Sequence, residues 1–184
     1  MIGLVFCAVS YKRISCMASE IERKFLLRSD DWRNDSEAHA IKQGYLAREP
    51  HRTVRVRLRD EEAWMTVKGP TIGISRTEVE FPLEAAIARE LLALCLEGLI
   101  EKTRHELWYE GMLWEIDEFH GANAGLVVAE VELPDETHEF AKPAWLGPEV
   151  SADLRFSNSM LAQNPWILWT IEDRETILAL AKGA

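Results

Sequence analysis

The residues best suited to chemistry are charged side chains that recur at every second position in several short segments. Glu20 and Glu22 begin this pattern, Arg55 and Arg57 continue it, and Glu130 and Glu132 repeat it late in the chain. Alternate residues of a β-strand point to the same face, so each pair places two charges side by side. Paired carboxylates suit a hard divalent cation, and guanidinium groups match phosphate oxygens. The pattern indicates polyphosphate chemistry assisted by a metal ion.

These charged faces divide into an acidic set and a basic set. The acids are Glu20, Glu22, Glu78, Glu80, Glu115, Asp117, Glu130 and Glu132. The bases are Lys24, Arg55, Arg57, Arg59, Lys68, Arg76, Lys102 and Arg104. Any sheet with one solvated face alternates in this way, but solvated faces usually mix in Thr, Ser and Gln, whereas these faces are nearly all ionic. Because unpaired buried charges cost several kcal/mol, we expect the faces to line a wet interior.

The metal and the phosphate ligand follow from the donor types. The acid pairs predict Mg²⁺ or Mn²⁺, since no paired Cys or His residues favour zinc. The guanidinium groups of Arg55, Arg57, Arg76 and Arg104 predict the phosphate contacts.

The elements that must position these residues are predicted as short strands joined by hairpins. Eight or so such strands with few helices indicate an antiparallel α+β fold, closed into a barrel because open edges would otherwise be exposed. Four helices are predicted to flank it: a short one opening at Ser29-Asp30-Asp31 and ending before Gln43, one of about fifteen residues opening at Pro82, one near 134–142, and one from Ser151 to about Gln163.

Composition limits the function classes. The 184 residues suit one domain, and 21 basic against 31 acidic residues give a net charge of −10, which argues against general nucleic-acid binding. The apolar stretch within residues 1–10 is too short to span a bilayer and lacks the pattern of a signal peptide, so no membrane association is expected. Three cysteines without framework spacing, Cys7, Cys16 and Cys95, predict free thiols and a cytoplasmic location.

The chain is predicted to fall into three parts. Residues 1–18 are expected to be a disordered extension, and Met17 is the expected biological start. Residues 19–163 carry the charged strands. Residues 164–184 form an apolar, helix-friendly tail that either docks on the barrel or makes a homodimer contact.

The ordered set of motifs resembles the triphosphate tunnel metalloenzymes, or CYTH superfamily. Their mark is an N-terminal Glu-x-Glu-x-Lys strand, matched here by Glu20, Glu22 and Lys24. Further matches follow in family order over residues 19–163: Arg55-x-Arg57, Lys68, Arg76-x-Glu78-x-Glu80, Lys102-x-Arg104, Glu115-x-Asp117 and Glu130-x-Glu132. The segment Gln43 to Leu46 and the ending Asp153 to Asn158 look most like the small bacterial branch that includes inorganic tripolyphosphatases.

The resemblance implies an eight-stranded antiparallel tunnel with flanking helices. Its basic residues, here Arg55, Arg57, Lys68, Arg76, Lys102 and Arg104, would bind a small-molecule triphosphate, with Arg155 as a late basic ligand. Its acids, the set of eight given above, would bind one or two Mg²⁺ or Mn²⁺ ions. The expected reaction is hydrolysis of the terminal phosphoanhydride bond, most simply that of inorganic tripolyphosphate.

Two ways of activating the attacking water remain open at this stage. One is metal coordination through Glu130, Glu132 or Asp117. The other, proposed for similar enzymes, uses Lys24 as the base with Tyr45 beside it. A lysine serves as a base only if neighbouring cations and desolvation lower its pKa, so the second route predicts an alkaline pH optimum.

Alternative functions come from different classes. A thiamine triphosphatase or class IV adenylyl cyclase would need a pocket for an organic group, where Trp64 or Trp114 would stack a ring. A non-catalytic polyphosphate or nucleotide-binding module would keep the basic set and could dispense with the acids. Both acid pairs are present, which favours an enzyme.

Overall fold

The computed structural model of the protein describes residues 21–49, 51–72 and 75–183. The predictions for Glu20, the extension 1–18 and the start at Met17 lie outside the described residues. The described residues form nine strands: β1 (Ile21–Leu27), β2 (Glu37–Glu49), β3 (Arg52–Arg59), β4 (Glu62–Ile72), β5 (Ser75–Leu83), β6 (Ile100–Tyr109), β7 (Met112–Phe119), β8 (Val127–Leu133) and β9 (Leu146–Glu149).

The strands form one antiparallel sheet in the order β5-β4-β3-β2-β6-β7-β8-β1-β9. This confirms the predicted α+β antiparallel fold of eight main strands, with the short β9 as an addition. The sheet curls like a barrel but is not closed, because β5 and β9 each have one strand neighbour among the described residues. The strands alternate in side-chain direction, so the curl gives the sheet an inner face and an outer face.

The helices differ from the sequence prediction. The helix predicted from Ser29 is only a 3₁₀ turn (Asp31–Asp35), because the chain enters β2 at Glu37, well before Gln43. Helix α1 (Ala85–Ala93) begins after Pro82, which lies in β5, where an edge strand tolerates a residue without an N–H donor. No helix forms over 134–142, because Asp135 instead caps a turn by accepting the Thr137 N–H at 2.9 Å. The predicted helix from Ser151 is divided into a 3₁₀ turn (Leu154–Phe156) and α2 (Asn158–Gln163), which Ser157 caps.

The outer face of the sheet is covered by two apolar clusters. One packs α1 against β2 to β4 through Val56, Ala63, Ala88 and Leu92. The other, the outer cluster, contains Trp114, Phe25, Trp145 and Phe140 around β1, β7 and β8. Phe140 belongs to the segment where a helix was predicted, and its ring packs 5.7 Å from that of Trp114. Burying apolar side chains outside the curl leaves the inner face to the ionic residues.

The C-terminal segment closes one end of the curled sheet. Phe156, Leu161, Trp166 and Trp169 pack with Leu26, Ile100 and Val128 from the inner face. Helix α3 (Ile171–Lys182) adds Ile177, its buried residue, to the same cluster. Thr170 caps α3 by accepting the Asp173 N–H at 3.0 Å. None of the described helices has the length and apolar character needed to cross a bilayer.

Candidate functional site

A cavity of about 410 Å³ opens on the inner face of the curled sheet. Its lining is charged: Glu22, Tyr45, Thr53, Arg55, Arg57, Lys68, Glu78, Glu80, Arg104, Glu115, Glu130, Glu132, Asn158 and Ser159. Strand register explains this convergence, because directly opposite residues share a face. Lys24 faces Glu130, Glu130 faces Glu115, and Arg104 faces Asp117. The alternating charges of separate strands therefore share one space.

Arg104 is the centre of a buried ionic network on β6, β7 and β8. Its guanidinium donates to Asp117 at 2.7 Å and to Glu130 at 2.9 Å, and it also pairs with Glu115. Asp117 is completely buried. Burial by itself would raise the pKa of Asp117, but the charges of Arg104 and Lys102 hold it well below its usual range. Asp117 is thus an ionised partner of two cations.

Lys102 lies beneath the cavity and does not line it. It is fully buried, pairs with Asp117, and donates to Asn158 Oδ1 at 3.4 Å. Desolvation, together with the nearby Arg104, lowers the pKa of Lys102 to about 8. Its ammonium is therefore still protonated at neutral pH and helps to hold the network together.

Lys24 is also buried behind the lining and pairs with Glu130 and, at 2.7 Å, with Glu22. Desolvation lowers the pKa of Lys24, but the attraction of Glu130 and Glu22 outweighs it, so the net pKa is raised. A lysine base requires the opposite shift. These surroundings therefore favour a protonated Lys24.

Arg57 on β3 has very different surroundings. No ion pair within the described chain involves Arg57, and its Nε atom has no hydrogen-bond partner there. Desolvation, followed by repulsion from Arg55 and Arg104, lowers the pKa of Arg57 to about 10. Arg55 beside it donates to Thr66 Oγ1 at 3.1 Å and lies 3.7 Å from Glu80. This wall of the cavity has an excess of positive charge.

The carboxylates of the cavity fall into two groups. Glu22 faces Glu132 across β1 and β8, and Glu130 faces Glu115 across β8 and β7. On the other side Glu78 pairs with Lys68 at 2.6 Å, and Glu80 accepts from Thr66 at 2.6 Å. Among the described residues, no three acidic, His or Cys side chains converge as a metal cluster. Even so, Glu22 and Glu132 are exposed, adjacent oxygen donors, the type that Mg²⁺ or Mn²⁺ prefers.

Some predicted site residues lie elsewhere. Arg155 is outside the cavity: it pairs with Asp153 at 2.7 Å and Asp173 at 3.3 Å, and its guanidinium lies 4.6 Å from the Trp169 ring centroid. Arg76 lies in β5, but its side chain is outside what the structure describes. Tyr45 is buried and lines the cavity. Trp114 is completely buried in the outer cluster.

Sequence reasoning missed several polar residues of the site. Thr53 and Thr66 share the inner face with Arg55, and their alternate spacing along β3 and β4 was a usable signal. Asn158 and Ser159 reach the cavity because α2 packs against β2 and β6, which no local pattern reveals.

Comparison with known proteins agrees with this geometry. A family model of the CYTH domain matches residues 18–161. The chain belongs to the CYTH family. A relative from Acetivibrio thermocellus, an inorganic triphosphatase, is 44% identical over 151 residues, which cover 82% of this chain and 97% of the relative. An inorganic triphosphatase from Nitrosomonas europaea is 38% identical over 152 residues, covering 78% of this chain and 97% of the relative.

A solved structure supports the fold as well. The inorganic triphosphatase NE1496 has a TM-score of 0.60 to this chain at 31% identity, covering 82% of this chain and 95% of its own. The curled antiparallel sheet is therefore a fold that this chain shares with a solved inorganic triphosphatase.

Proposed function

We propose that this CYTH protein hydrolyses the terminal phosphoanhydride bond of inorganic tripolyphosphate, with Mg²⁺ or Mn²⁺ as cofactor. The observation that carries the proposal is Arg57, a desolvated cation with no ion pair in the described chain, placed beside Arg55 in the cavity. A triphosphate supplies the negative charge that this wall lacks. The inorganic triphosphatase relatives support the same substrate.

The metal is assigned to the carboxylates on β1, β7 and β8. Glu22 and Glu132 form the exposed pair. Glu130, two residues before Glu132 on the same face of β8, forms a second pair with Glu115. A bound divalent ion supplies charge neutralisation at phosphate oxygens and activation of water. Glu20, Glu78, Glu80 and Asp117 remain predicted ligands; of these, Asp117 is already engaged by Lys102 and Arg104.

The cations bind and orient the triphosphate. Arg55, Arg57, Lys68 and Arg104 line the cavity, and guanidinium forks match the paired oxygens of a phosphoryl group. During hydrolysis these fixed charges stabilise the negative charge spread over the transferred group. Arg76, Lys102 and Arg155 remain predicted phosphate ligands.

Lys24 is assigned a positioning role. With its pKa raised by Glu130 and Glu22, its ammonium orients these two carboxylates and takes no proton from water. Tyr45 lines the cavity and stays a predicted catalytic residue. The nucleophile is water.

The alternative functions have weaker support. Trp114 cannot stack an organic ring because it is buried on the outer side of the sheet. Trp64 is half-buried on the inner face opposite Arg57 but does not line the cavity. The lining carboxylates favour an enzyme over a binding module. A cytoplasmic location, a homodimer and the division of the chain at residue 164 stay predictions.

The test is a phosphate-release panel with tripolyphosphate, thiamine triphosphate, ATP and pyrophosphate, each with Mg²⁺ and with Mn²⁺. Preferential turnover of tripolyphosphate is expected. Glu132→Gln should abolish turnover at fixed metal, and Glu136→Gln, at an exposed position outside the cavity lining, is the control. Preferential turnover of an organic triphosphate would replace the proposed substrate, and no turnover of any compound would support a binding module.

A further inference from the structure

Thr66 on β4 is completely buried behind the wall of the cavity that contains Arg55. It lies directly opposite Arg55 on β3 and directly opposite Glu80 on β5, so the three side chains share the inner face. Arg55 and Glu80 line the cavity, whereas Thr66 is not among the lining residues. The hydroxyl of Thr66 therefore lies between a cation and a carboxylate of the site.

The two hydrogen bonds of the Thr66 hydroxyl have a fixed direction. Its Oγ1 atom lies 2.6 Å from Glu80 Oε2 and 3.1 Å from Arg55 Nη2. A guanidinium can only donate hydrogen bonds, and an ionised carboxylate can only accept them. The single hydroxyl proton is therefore donated to Glu80, and a lone pair of Oγ1 accepts from Arg55.

This arrangement keeps Arg55 and Glu80 from forming a close ion pair. Arg55 Nη2 and Glu80 Oε2 are 3.7 Å apart, which is too far for a hydrogen bond. By contrast, Lys68 and Glu78, which lie directly opposite each other on β4 and β5, pair at 2.6 Å. A carboxylate in direct contact with Arg55 would compete with an anionic ligand for the N–H groups of the guanidinium.

Arg55 retains donors for such a ligand. A guanidinium carries five N–H groups, and that of Arg55 makes one hydrogen bond within the described chain, from Nη2 to Thr66. Its Nη1 group makes none there. Because Arg55 lines the cavity, Thr66 holds one side of the guanidinium and leaves Nη1 for an anion.

We propose that Thr66 is a positioning residue for triphosphate binding, which holds the Arg55 guanidinium in place and keeps Glu80 from neutralising it. This inference rests on the proposed function and adds to its cations an uncharged residue that acts through Arg55. Without the hydroxyl, Glu80 can pair directly with Arg55, and tripolyphosphate must then displace a carboxylate in order to bind.

The test compares Thr66→Val, which keeps the side-chain shape and removes the hydroxyl, with Thr66→Ser, which keeps the hydroxyl. Steady-state kinetics are measured with tripolyphosphate and Mg²⁺. In Thr66→Val the KM should rise about tenfold, the effect of losing a hydrogen bond to a charged group, while kcat stays nearly unchanged. Thr66→Ser should behave like the unaltered protein. The matched control is Thr103→Val, which removes a hydroxyl that contacts His120 outside the cavity lining.

A second measurement determines whether Thr66 acts through Arg55. In a protein that already carries Arg55→Ala, the further change Thr66→Val should alter kcat/KM by less than about twofold, because the side chain that Thr66 holds is gone. An equal loss of kcat/KM with and without Arg55 would overturn the positioning role.

Other outcomes separate this inference from the proposed function. An unchanged KM in Thr66→Val overturns the role of Thr66 alone, as does a Thr66→Ser variant that is impaired as much as Thr66→Val. An unaltered protein that does not hydrolyse tripolyphosphate overturns both proposals. If Thr66→Val does not fold, Thr66→Ala also lacks the hydroxyl and should show the same rise in KM, and an unchanged KM in that variant would overturn the role of Thr66.

Discussion

Two arginines on the inner face, Arg104 and Arg57, have opposite surroundings. Arg104 is held by three carboxylates, and its pKa is raised, because their attraction outweighs desolvation. Arg57 has no ion pair in the described chain, and desolvation lowers its pKa. Both residues line the same cavity, so the difference in pKa does not come from one being inside the cavity and the other outside it. We therefore expect Arg104 to contribute mainly to the stability of the protein and Arg57 mainly to ligand binding.

This difference has a physical basis in strand order. β6, β7 and β8 are neighbours that bring acids and bases into direct register, as with Arg104 and Asp117. β3 lies between β2 and β4, whose residues opposite Arg57 are Gln43 and Trp64. No carboxylate therefore stands directly across from Arg57. Substitutions on the two sides should separate stability from activity.

The largest expected effect is on stability, from Asp117→Asn. Removing this carboxylate leaves the buried Lys102 without an ion pair in the described chain and takes one of three carboxylates from Arg104, so the free energy of unfolding should fall by about 3 to 5 kcal/mol. Urea denaturation followed by circular dichroism measures the change. The control is Glu118→Gln, which breaks the half-exposed pair with Arg33 and should cost less than about 1 kcal/mol. Equal losses in the two variants would contradict the structural role of the network.

The next effect is on activity, from Arg57→Ala. Because no ion pair in the described chain involves Arg57, its removal should leave the free energy of unfolding unchanged or raise it. Tripolyphosphate turnover, measured as kcat/KM, should fall about 100-fold, the effect of losing one fixed charge at the transferred group. Arg52→Ala on the same strand, an exposed partner of Glu49, is the matched control. A large loss of stability in Arg57→Ala without a loss of turnover would contradict the proposed difference between Arg57 and Arg104.

Lowering the pH is expected to have a smaller effect on the free energy of unfolding. The pKa values of Asp117 and Glu130 are lowered in the folded protein, so their ionised forms stabilise it above the ordinary carboxylate pKa values of 3.8 and 4.5. This stabilisation should be lost as the pH falls below those values toward the lowered ones. Unfolding free energies measured between neutral pH and pH 3 test it. In Asp117→Asn the unfolding free energy should depend less on pH in this range, whereas in Arg57→Ala its dependence on pH should be unchanged.

How much of the site could be predicted depends on how local its signals are. Strand alternation identified Glu22, Arg57 and Glu132, because a period of two fixes which side chains share a face. It did not show that Asp117 is paired and Arg57 is not, since that depends on which strands are neighbours. The pKa of Lys24 depends in the same way on Glu130, which is distant in sequence.

The fold shows the same limit. Hairpins follow from local turns, so the antiparallel sheet could be predicted. The segment 134–142 has helical composition, but Asp135 caps a turn there and the ring of Phe140 packs on Trp114 and Phe25 in the outer cluster. Pro82 is typical of a helix start, and its actual position in the edge strand β5 depends on the order of the strands, which the local sequence does not reveal.

The smallest expected effect concerns Arg155, a predicted phosphate ligand that Asp153 and the tail residue Asp173 hold outside the cavity. If Arg155 binds the triphosphate, it must leave Asp173, so Asp173→Asn removes a competitor and should lower KM about two- to threefold, as expected for an exposed ion pair. Arg155→Ala should raise KM. Steady-state kinetics with tripolyphosphate measure both, and Asp30→Asn, which breaks the exposed contact with Arg33, is the control. Unchanged KM in both variants would make Arg155 an anchor for α3, and the cavity cations would then bind the triphosphate without it.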